Sequence, residues 1–336
     1  MTRQSDGGAP TIGDVANALG ISRATVSRAF SRPEMISRET VARVHEMAAR
    51  LGYVANPAAR ALSTGKQGNL AIIVPDIANP FFPPLIRAMQ RAADLAGYGV
   101  FIGDTDGDPE QEFRLASRLA PQIEGIVLAS SRMTEEHVRR VARLRPTVMI
   151  NRDIGGLSRV LIDPVVGLDE AVAALAGQGH RSLAYVTGPA SSWSDQQRRA
   201  ALGEAGKRHA VWIDMLEGFK DSFEGGRDAA KRLLGTNVTG AIAFDDFVAH
   251  GLLAGLAGAG INVPESFSLV GFDDVLGAST YPALASVFAP GEEAGRRAAA
   301  LLIEELDSGI AADCRESLPT RFVARATIGE AARRPC

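Results

Sequence analysis

The sequence predicts an all-α helix-turn-helix head followed by an α/β body made of two doubly wound parallel-sheet lobes. Three observations carry this. Short runs with helical apolar spacing, each preceded by Thr or Ser, fill the chain as far as Leu51. From Asn69 onward, short apolar runs alternate with helical stretches, the texture of βα units. That series then occurs a second time. A chain of 336 residues, 46% hydrophobic, has room for two or three domains at about 150 residues each.

In the head, Thr11 is placed to cap a helix carrying Ile12, Val15, Ala16 and Leu19, and Gly20 stops it. Ser22 caps a second helix whose Val26 and Ala29 or Phe30 face inward, leaving Arg23, Ala24, Ser27 and Arg28 outward, as a DNA-reading helix requires. Ser37 opens a third helix with Val41, Val44, Met47, Ala48 and Leu51 on one face and Gly52 beyond its end. Periodicity alone fits equally well an ordinary three-helix bundle with a solvated arginine face.

Charge is divided unevenly. Residues 1–66 hold nine Lys/Arg against five Asp/Glu, and the remainder holds 27 against 34, so a +4 head precedes a −7 body. A basic head neutralises phosphates while an acidic body stays off nucleic acid. No apolar run approaches the roughly 18 residues that would span a bilayer, and the opening MTRQSDGGAP lacks a signal-peptide core, so no membrane association and a cytoplasmic location are expected. Cys314 and Cys336 are too few for a disulfide framework and lack metal spacing.

Residues 1–10 are polar and Gly-rich, and are expected to be a disordered leader. After Tyr53, Asn56 can cap and Pro57 can start a short Ala-rich segment that is too short to be a stable helix alone. In the body, strands are expected at Leu70–Val74, Val100–Gly103, Gly125–Ala129, Thr147–Asn151 and Arg159–Ile162, with helices from about Phe82, Pro109 and Thr134. The second series places strands at Leu183–Thr187, Met215–Gly218, Gly240–Phe244, Ser268–Gly271 and Ser286–Ala289. Helices at Leu168–Gln178, Ser222–Leu234, Phe247–Ala259 and Gly291–Ser308 fill its gaps.

The head resembles the DNA-binding domain of LacI/GalR transcriptional regulators at Asp14-Val15-Ala16, Gly20-Ile21-Ser22, Thr25-Val26-Ser27-Arg28, Leu51-Gly52-Tyr53 and Ala59-Arg60-Ala61-Leu62. The body resembles the periplasmic-binding-protein-like (type I) fold of the same family. That likeness rests on Asn79-Pro-Phe-Phe82, Asn151-Arg152, Gly179-His180-Arg181, Gly188-Pro189, Ser192-Trp193-Ser194-Asp195 with Arg198, and Val270 to Asp274. The resemblance implies a helix-turn-helix domain over 11–54, a hinge helix and linker over 55–67, an N-lobe of 68–162 with 288–319, and a C-lobe of 163–287 with 320–330. It also implies a homodimer on a palindromic double-stranded operator, with the dimer contact on the helices after Phe81 and Phe247, and release of the operator by a small sugar or sugar-like effector.

By the same resemblance Arg23, Ala24 and Arg28 read base edges, and Thr11, Ser22, Thr25, Ser27 and Asn56 face phosphates. Leu62 would wedge into the minor groove. In an open α/β sheet ligands sit beyond the carboxyl ends of the strands, which is where Asn79, Ser130, Arg152, Asp245 and Asp273 fall. The resemblance makes Asn79, Phe81, Ser131, Arg152, Trp193, Ser194, Arg198, Asp245 and Asp273 the effector contacts. Fixed carboxylates and guanidinium forks around an aromatic face suit a polyhydroxylated ring. The chain departs from the family in carrying Asp245 where sugar responders usually have Asn, Lys220 where many have an aromatic, and about one helical turn less between Arg198 and Met215.

Other classes fit less well. A transported-sugar receptor would share the body but not the head. An enzyme would need a nucleophile, metal or cofactor motif, and none has credible spacing, so no catalytic residue and no cofactor is expected. Asp104, Asp106 and Asp108 imitate a calcium loop, but its required glycine and closing glutamate fall on Pro109 and Leu115. Ser-Thr-Gly-Lys66-Gln lacks the hydroxyl residue a phosphate loop needs after its lysine, and Gly255, Gly258 and Gly260 miss dinucleotide spacing. A DNA-binding protein whose cleft is no longer used remains an alternative.

Overall fold

A computed structural model describes residues 9–54 and 67–332. The chain divides into two compact units at Gly68. The expected leader lies almost wholly, and Asn56 and Leu62 entirely, outside the described residues.

Among the described residues the head holds three α-helices: α1 Ile12–Leu19, α2 Arg23–Ser31 and α3 Arg38–Leu51. Each begins at the hydroxyl residue the sequence offers. Thr11 Oγ1 accepts from Asp14 N at 3.4 Å while Asp14 Oδ2 accepts from Thr11 N at 2.8 Å, a reciprocal capping box. Ser22 and Ser37 accept from Thr25 N and Thr40 N at 3.0 and 3.3 Å. Gly20 and Gly52 end α1 and α3 at φ of 66° and 70°, the left-handed region a side chain disfavours. Val15, Ala16, Val26, Ala29, Val44 and Ala48 form the core, and Phe30 packs edge-on against His45 and Tyr53. Leu51, expected on the buried face, is instead 37% exposed at the last position of α3. A short 3-10 turn at Pro33–Met35 joins α2 to α3.

The body contains two six-stranded sheets. The first takes β1 Asn69–Val74, β2 Gly99–Asp104, β3 Gly125–Ala129, β4 Thr147–Ile150, β5 Arg159–Asp163 and β11 Arg315–Pro319, all parallel, in the order β11-β5-β4-β3-β1-β2. The second takes β6 Ser182–Val186, β7 Trp212–Leu216, β8 Gly240–Ala243, β9 Ser268–Asp273, β10 Ala285–Phe288 and β12 Arg321–Val323, in the order β12-β10-β9-β8-β6-β7, with only β12 antiparallel. Helices α4 Phe82–Leu95, α5 Pro109–Leu119 and α6 Glu135–Ala142 belong to the first series. Helices α7 Val165–Gly177, α8 Trp193–His209, α9 Phe223–Leu233 and α10 Asp246–Gly258 belong to the second. Helix α11, Gly291–Ser308, returns to pack on α4 and the first sheet.

The chain passes between sheets after β5, after β10 and between β11 and β12. Thr320 ties the first and last passages together. Its hydroxyl donates to Asp163 O at 2.9 Å and accepts from Gly167 N at 3.2 Å. Helices α9 and α10 touch backbone to backbone, since a Cβ at Gly226 or Gly251 would strike the main chain of the other helix.

Four elements differ from expectation. Helix α8 was not anticipated, because its inner face mixes Ala201, Leu202 and Ala205 with buried Asp195 and Arg198, which erases the apolar period. Strand β7 starts at Trp212, three residues before the expected Met215, since it is an edge strand whose exposed side chains give no apolar run. Strands β11 and β12 are short, charged edge strands and escaped notice for the same reason.

Candidate functional site: a closed cleft and an exposed recognition helix

Because the strands within each sheet run parallel apart from β12, their carboxyl ends gather polar residues in one place. Asn79 and Phe81 follow β1, Ser130 and Arg132 follow β3, and Asn151 follows β4. From the second sheet come Ser192 and Ser194 at the start of α8, Arg198 within it, Asp221 after β7, Phe244 and Asp245 after β8, and Asp273 at the end of β9. They enclose a cavity of about 30 Å³, room for a water or two. Ser130, Asn151 and Asp273 sit there at φ of 51°, 54° and 101°, backbone strain concentrated where the strands turn into the cleft.

Two contacts cross the cleft. Asn79 Nδ2 donates to Asp245 Oδ2 at 2.8 Å, while Asn79 Oδ1 is held by Phe81 N at 3.0 Å. Arg132 approaches Asp221 at 3.9 Å, too long for a hydrogen bond. Asp245 is also the N-cap of α10, accepting from Val248 N at 2.8 Å. Asp246 is the first residue of that helix. It accepts from Val275 N at 3.0 Å and from the Ser286 hydroxyl at 2.6 Å, which anchors the loop after β9.

Arg198 organises the wall supplied by the second sheet. Its guanidinium lies 3.6 Å from the Phe272 ring centroid and 4.6 Å from that of Phe244, donates to the Phe244 carbonyl, and reaches Asp273 Oδ1 at 3.5 Å. One turn earlier, Asp195 accepts from Tyr185 Oη at 2.9 Å and Gly188 N at 2.8 Å. A Cβ at Gly188 would come within 2.5 Å of the Phe244 ring, so this glycine lets the β6 loop lie on the aromatic shelf.

Burial dominates the titration of the wall. The Asp273 carboxyl is pushed well above the ordinary carboxylate range by burial, against the opposing pull of Arg198. Asp221 is raised in the same way by burial and by the charge of Asp245, whose carboxyl it meets. Asp246 is pushed up to about 7, again chiefly by burial.

Six of the nine effector contacts expected from sequence line this cavity: Asn79, Phe81, Ser194, Arg198, Asp245 and Asp273. The other three, Ser131, Arg152 and Trp193, do not line it. Ser131 is buried, and its hydroxyl accepts from Met133 N at 3.3 Å and meets Glu112. Arg152 donates to the Ser131 carbonyl at 3.2 Å, and Trp193 is the half-buried first residue of α8. Sequence reasoning passed over Arg132 and Asp221. Looking one residue beyond Ser131 and one beyond Lys220, which is exposed, would have found both.

On the head, Ser22, Arg23, Ala24 and Arg28 are exposed along α2, with Thr25 and Ser27 half-buried between them and Thr11 exposed at the start of α1. The Ser22 and Thr25 hydroxyls lie 2.9 Å apart. The Arg23 guanidinium rests on α1, close enough that a Cβ at Gly13 would fall 2.9 Å from its Nη2. Among the described residues, no group of three or more His, Cys, Asp or Glu is arranged to hold a metal, and no helix is long and apolar enough to cross a membrane.

Residues 11–56 match the model for bacterial regulatory proteins of the lacI family, and residues 172–328 match that for a periplasmic binding protein-like domain. The HTH-type transcriptional regulator DegA of Bacillus subtilis (strain 168) is 33% identical over 85% of this chain and 88% of its own length. The chain belongs to the LacI family of bacterial regulatory proteins. Within that family, the HTH-type transcriptional repressor CytR of Escherichia coli (strain K12) is 32% identical, covering 89% of this chain and 90% of its own. A crystal structure of the lac repressor dimer bound to operator shares the fold at a TM-score of 0.82 and 22% identity, over 95% of this chain and 99% of that one. A LacI-family regulator from Enterococcus faecium with bound ribose matches at a TM-score of 0.71 and 25% identity, over 78% of this chain and 98% of that one.

Proposed function

We propose that this LacI-family protein is a ligand-responsive transcriptional repressor that binds a palindromic double-stranded operator as a homodimer and takes a small sugar or sugar-like effector in the cleft of its body. The observation that carries this is α2, fixed by its Ser22 cap and presenting Arg23, Ala24 and Arg28 on its free face. In this reading Arg23, Ala24 and Arg28 read bases, Thr11, Ser22, Thr25, Ser27 and Asn56 face phosphates, and Leu62 wedges the minor groove. The protein works in the cytoplasm and catalyses no reaction. One head makes few contacts, so a dimer supplies the second half-site. Its contact falls on the outer faces of α4 and α10 and on the edge strand β2, where Leu95, Phe101 and Ile102 are 91%, 40% and 42% exposed.

The gap between the cleft walls admits a water or two, so a sugar-sized ligand enters as the walls part and the Asn79–Asp245 contact breaks. Effector and closed cleft then compete, which supplies the differential affinity that regulation needs. The tightness of the cleft also favours a second reading, in which no effector enters and the protein binds DNA constitutively.

Selection of duplexes from a random pool with the full-length protein tests the first part. A two-fold symmetric site is expected, and enrichment of no sequence would exclude the role. Operator affinity measured against a sugar panel, with Trp193 fluorescence as a parallel signal, separates the two readings. A ligand that weakens binding supports regulation; no ligand at all with intact operator binding supports the constitutive reading.

A further inference from the structure

The two arginines of the cleft differ in one respect. Arg198 spends its donors on a carbonyl and a carboxylate and covers two aromatic rings. The Arg132 side chain is only 7% exposed, lines the cavity, and makes no hydrogen bond. Among the described residues its ion-pair partner is Asp221, at 3.9 Å. A guanidinium carries five donors in a planar fork, and none of those of Arg132 meets a protein acceptor at hydrogen-bond distance. The turn that carries it is built to hold it there. Glu112, itself buried, accepts from Arg132 N at 2.9 Å and meets the Ser131 hydroxyl, fixing residues 131–133 from behind.

We propose that the effector of this protein carries a carboxylate, which takes the Arg132 fork in the cleft, so that the ligand class is a sugar acid or similar polyhydroxylated acid rather than a neutral sugar. This rests on the reading that the cleft binds an effector. The nearby carboxyls do not supply the missing partner. Asp221 lies 3.9 Å away, beyond hydrogen-bond reach, and in the closed cleft Asp245 has its oxygens engaged by Val248 N and Asn79 Nδ2. The cleft therefore offers a cation with unused donors, and parting of the walls carries Arg132 further from Asp221, which favours an incoming anion at the fork. A single fork matches the two oxygens of a carboxylate. A phosphate dianion would ask for further cationic donors, and Arg198 is already committed. The hydroxyls of the ligand would meet Asn79, Asn151 and Asp273, which both donate and accept when Asp273 holds its proton.

The test is a set of matched probes against the full-length protein: glucose with glucuronate and gluconate, galactose with galacturonate, and glucose 6-phosphate. Calorimetry gives affinity, and operator binding gives the response. The expected result is that at least one acid binds roughly 10- to 100-fold tighter than its neutral partner. Arg132→Met should abolish that preference, while Arg132→Lys, which keeps the charge but not the fork, should retain part of it and serves if the Met variant fails to fold. Neutral sugars binding as well as their acids, binding of the sugar phosphate alone, or a preference that survives Arg132→Met would each overturn the proposal while leaving the effector reading intact. If no probe binds or alters operator affinity, both fall.

Discussion

The two walls of the cleft are built from similar βα units but carry different chemistry. The wall from the first sheet presents amides, hydroxyls, an aromatic and one guanidinium without a hydrogen bond; the wall from the second presents three carboxyls around a guanidinium that bonds a carbonyl and a carboxylate and covers two rings. The difference separates structural charge from available charge. Arg198 holds its wall together, while Arg132 is held in place for something else.

The largest expected effect is on pH dependence, and it belongs mainly to the second wall. Asp246 is raised from 3.8 to about 7, and Asp221 and Asp273 are raised as well. The folded state keeps protons that the unfolded chain has already released, so stability is greatest at the acid end and declines as pH rises from about 4 to about 7. For Asp246 alone the change approaches about 4 kcal/mol at most. Urea midpoints across that range should fall with pH, and Asp246→Asn should flatten the slope. A slope of the opposite sign would remove the argument from burial.

Arg198→Ala comes next. It strips Asp273 of its partner and uncovers Phe244 and Phe272, a loss of about 3 kcal/mol in body stability by denaturant unfolding. Arg132→Ala, with no hydrogen bond to lose, should change it by less than about 1 kcal/mol. Equal costs would erase the distinction between the two arginines. Gly188→Ala forces a methyl into the Phe244 ring and should cost about 2 kcal/mol. Asn79→Ala deletes a cross-cleft hydrogen bond, about 1 kcal/mol, and should raise hydrogen exchange along the cleft rim.

The head was more legible in the sequence than the cleft, and the reason is physical. In the head the informative residues act locally: Thr11, Ser22 and Ser37 sit three residues before the amides they cap, and Gly20 and Gly52 end helices within a turn. Such spacings are visible in one dimension. The cleft joins residues far apart in the chain, Asn79 to Asp245 and Arg132 to Asp221, and no local pattern encodes that meeting. The strand-end rule located Asn79, Asp245 and Asp273 because parallel strands bring their carboxyl ends together. It could not resolve Asp221 from Lys220, since one residue in a loop decides which side chain turns inward. Helix α8 was hidden by its own function, because the buried charges Asp195 and Arg198 replace the apolar period that marks a helix.

The central claim is that the state of the cleft sets operator affinity. The direct measurement is the operator Kd, by fluorescence anisotropy, of the full-length protein and of an Asn79→Ala/Asp221→Ala variant that lacks both cross-cleft contacts. The account predicts binding at least about 5-fold weaker in the variant, the lower end of ordinary allosteric coupling. An unchanged or tighter Kd, with small-angle scattering showing the cleft opened, would contradict it.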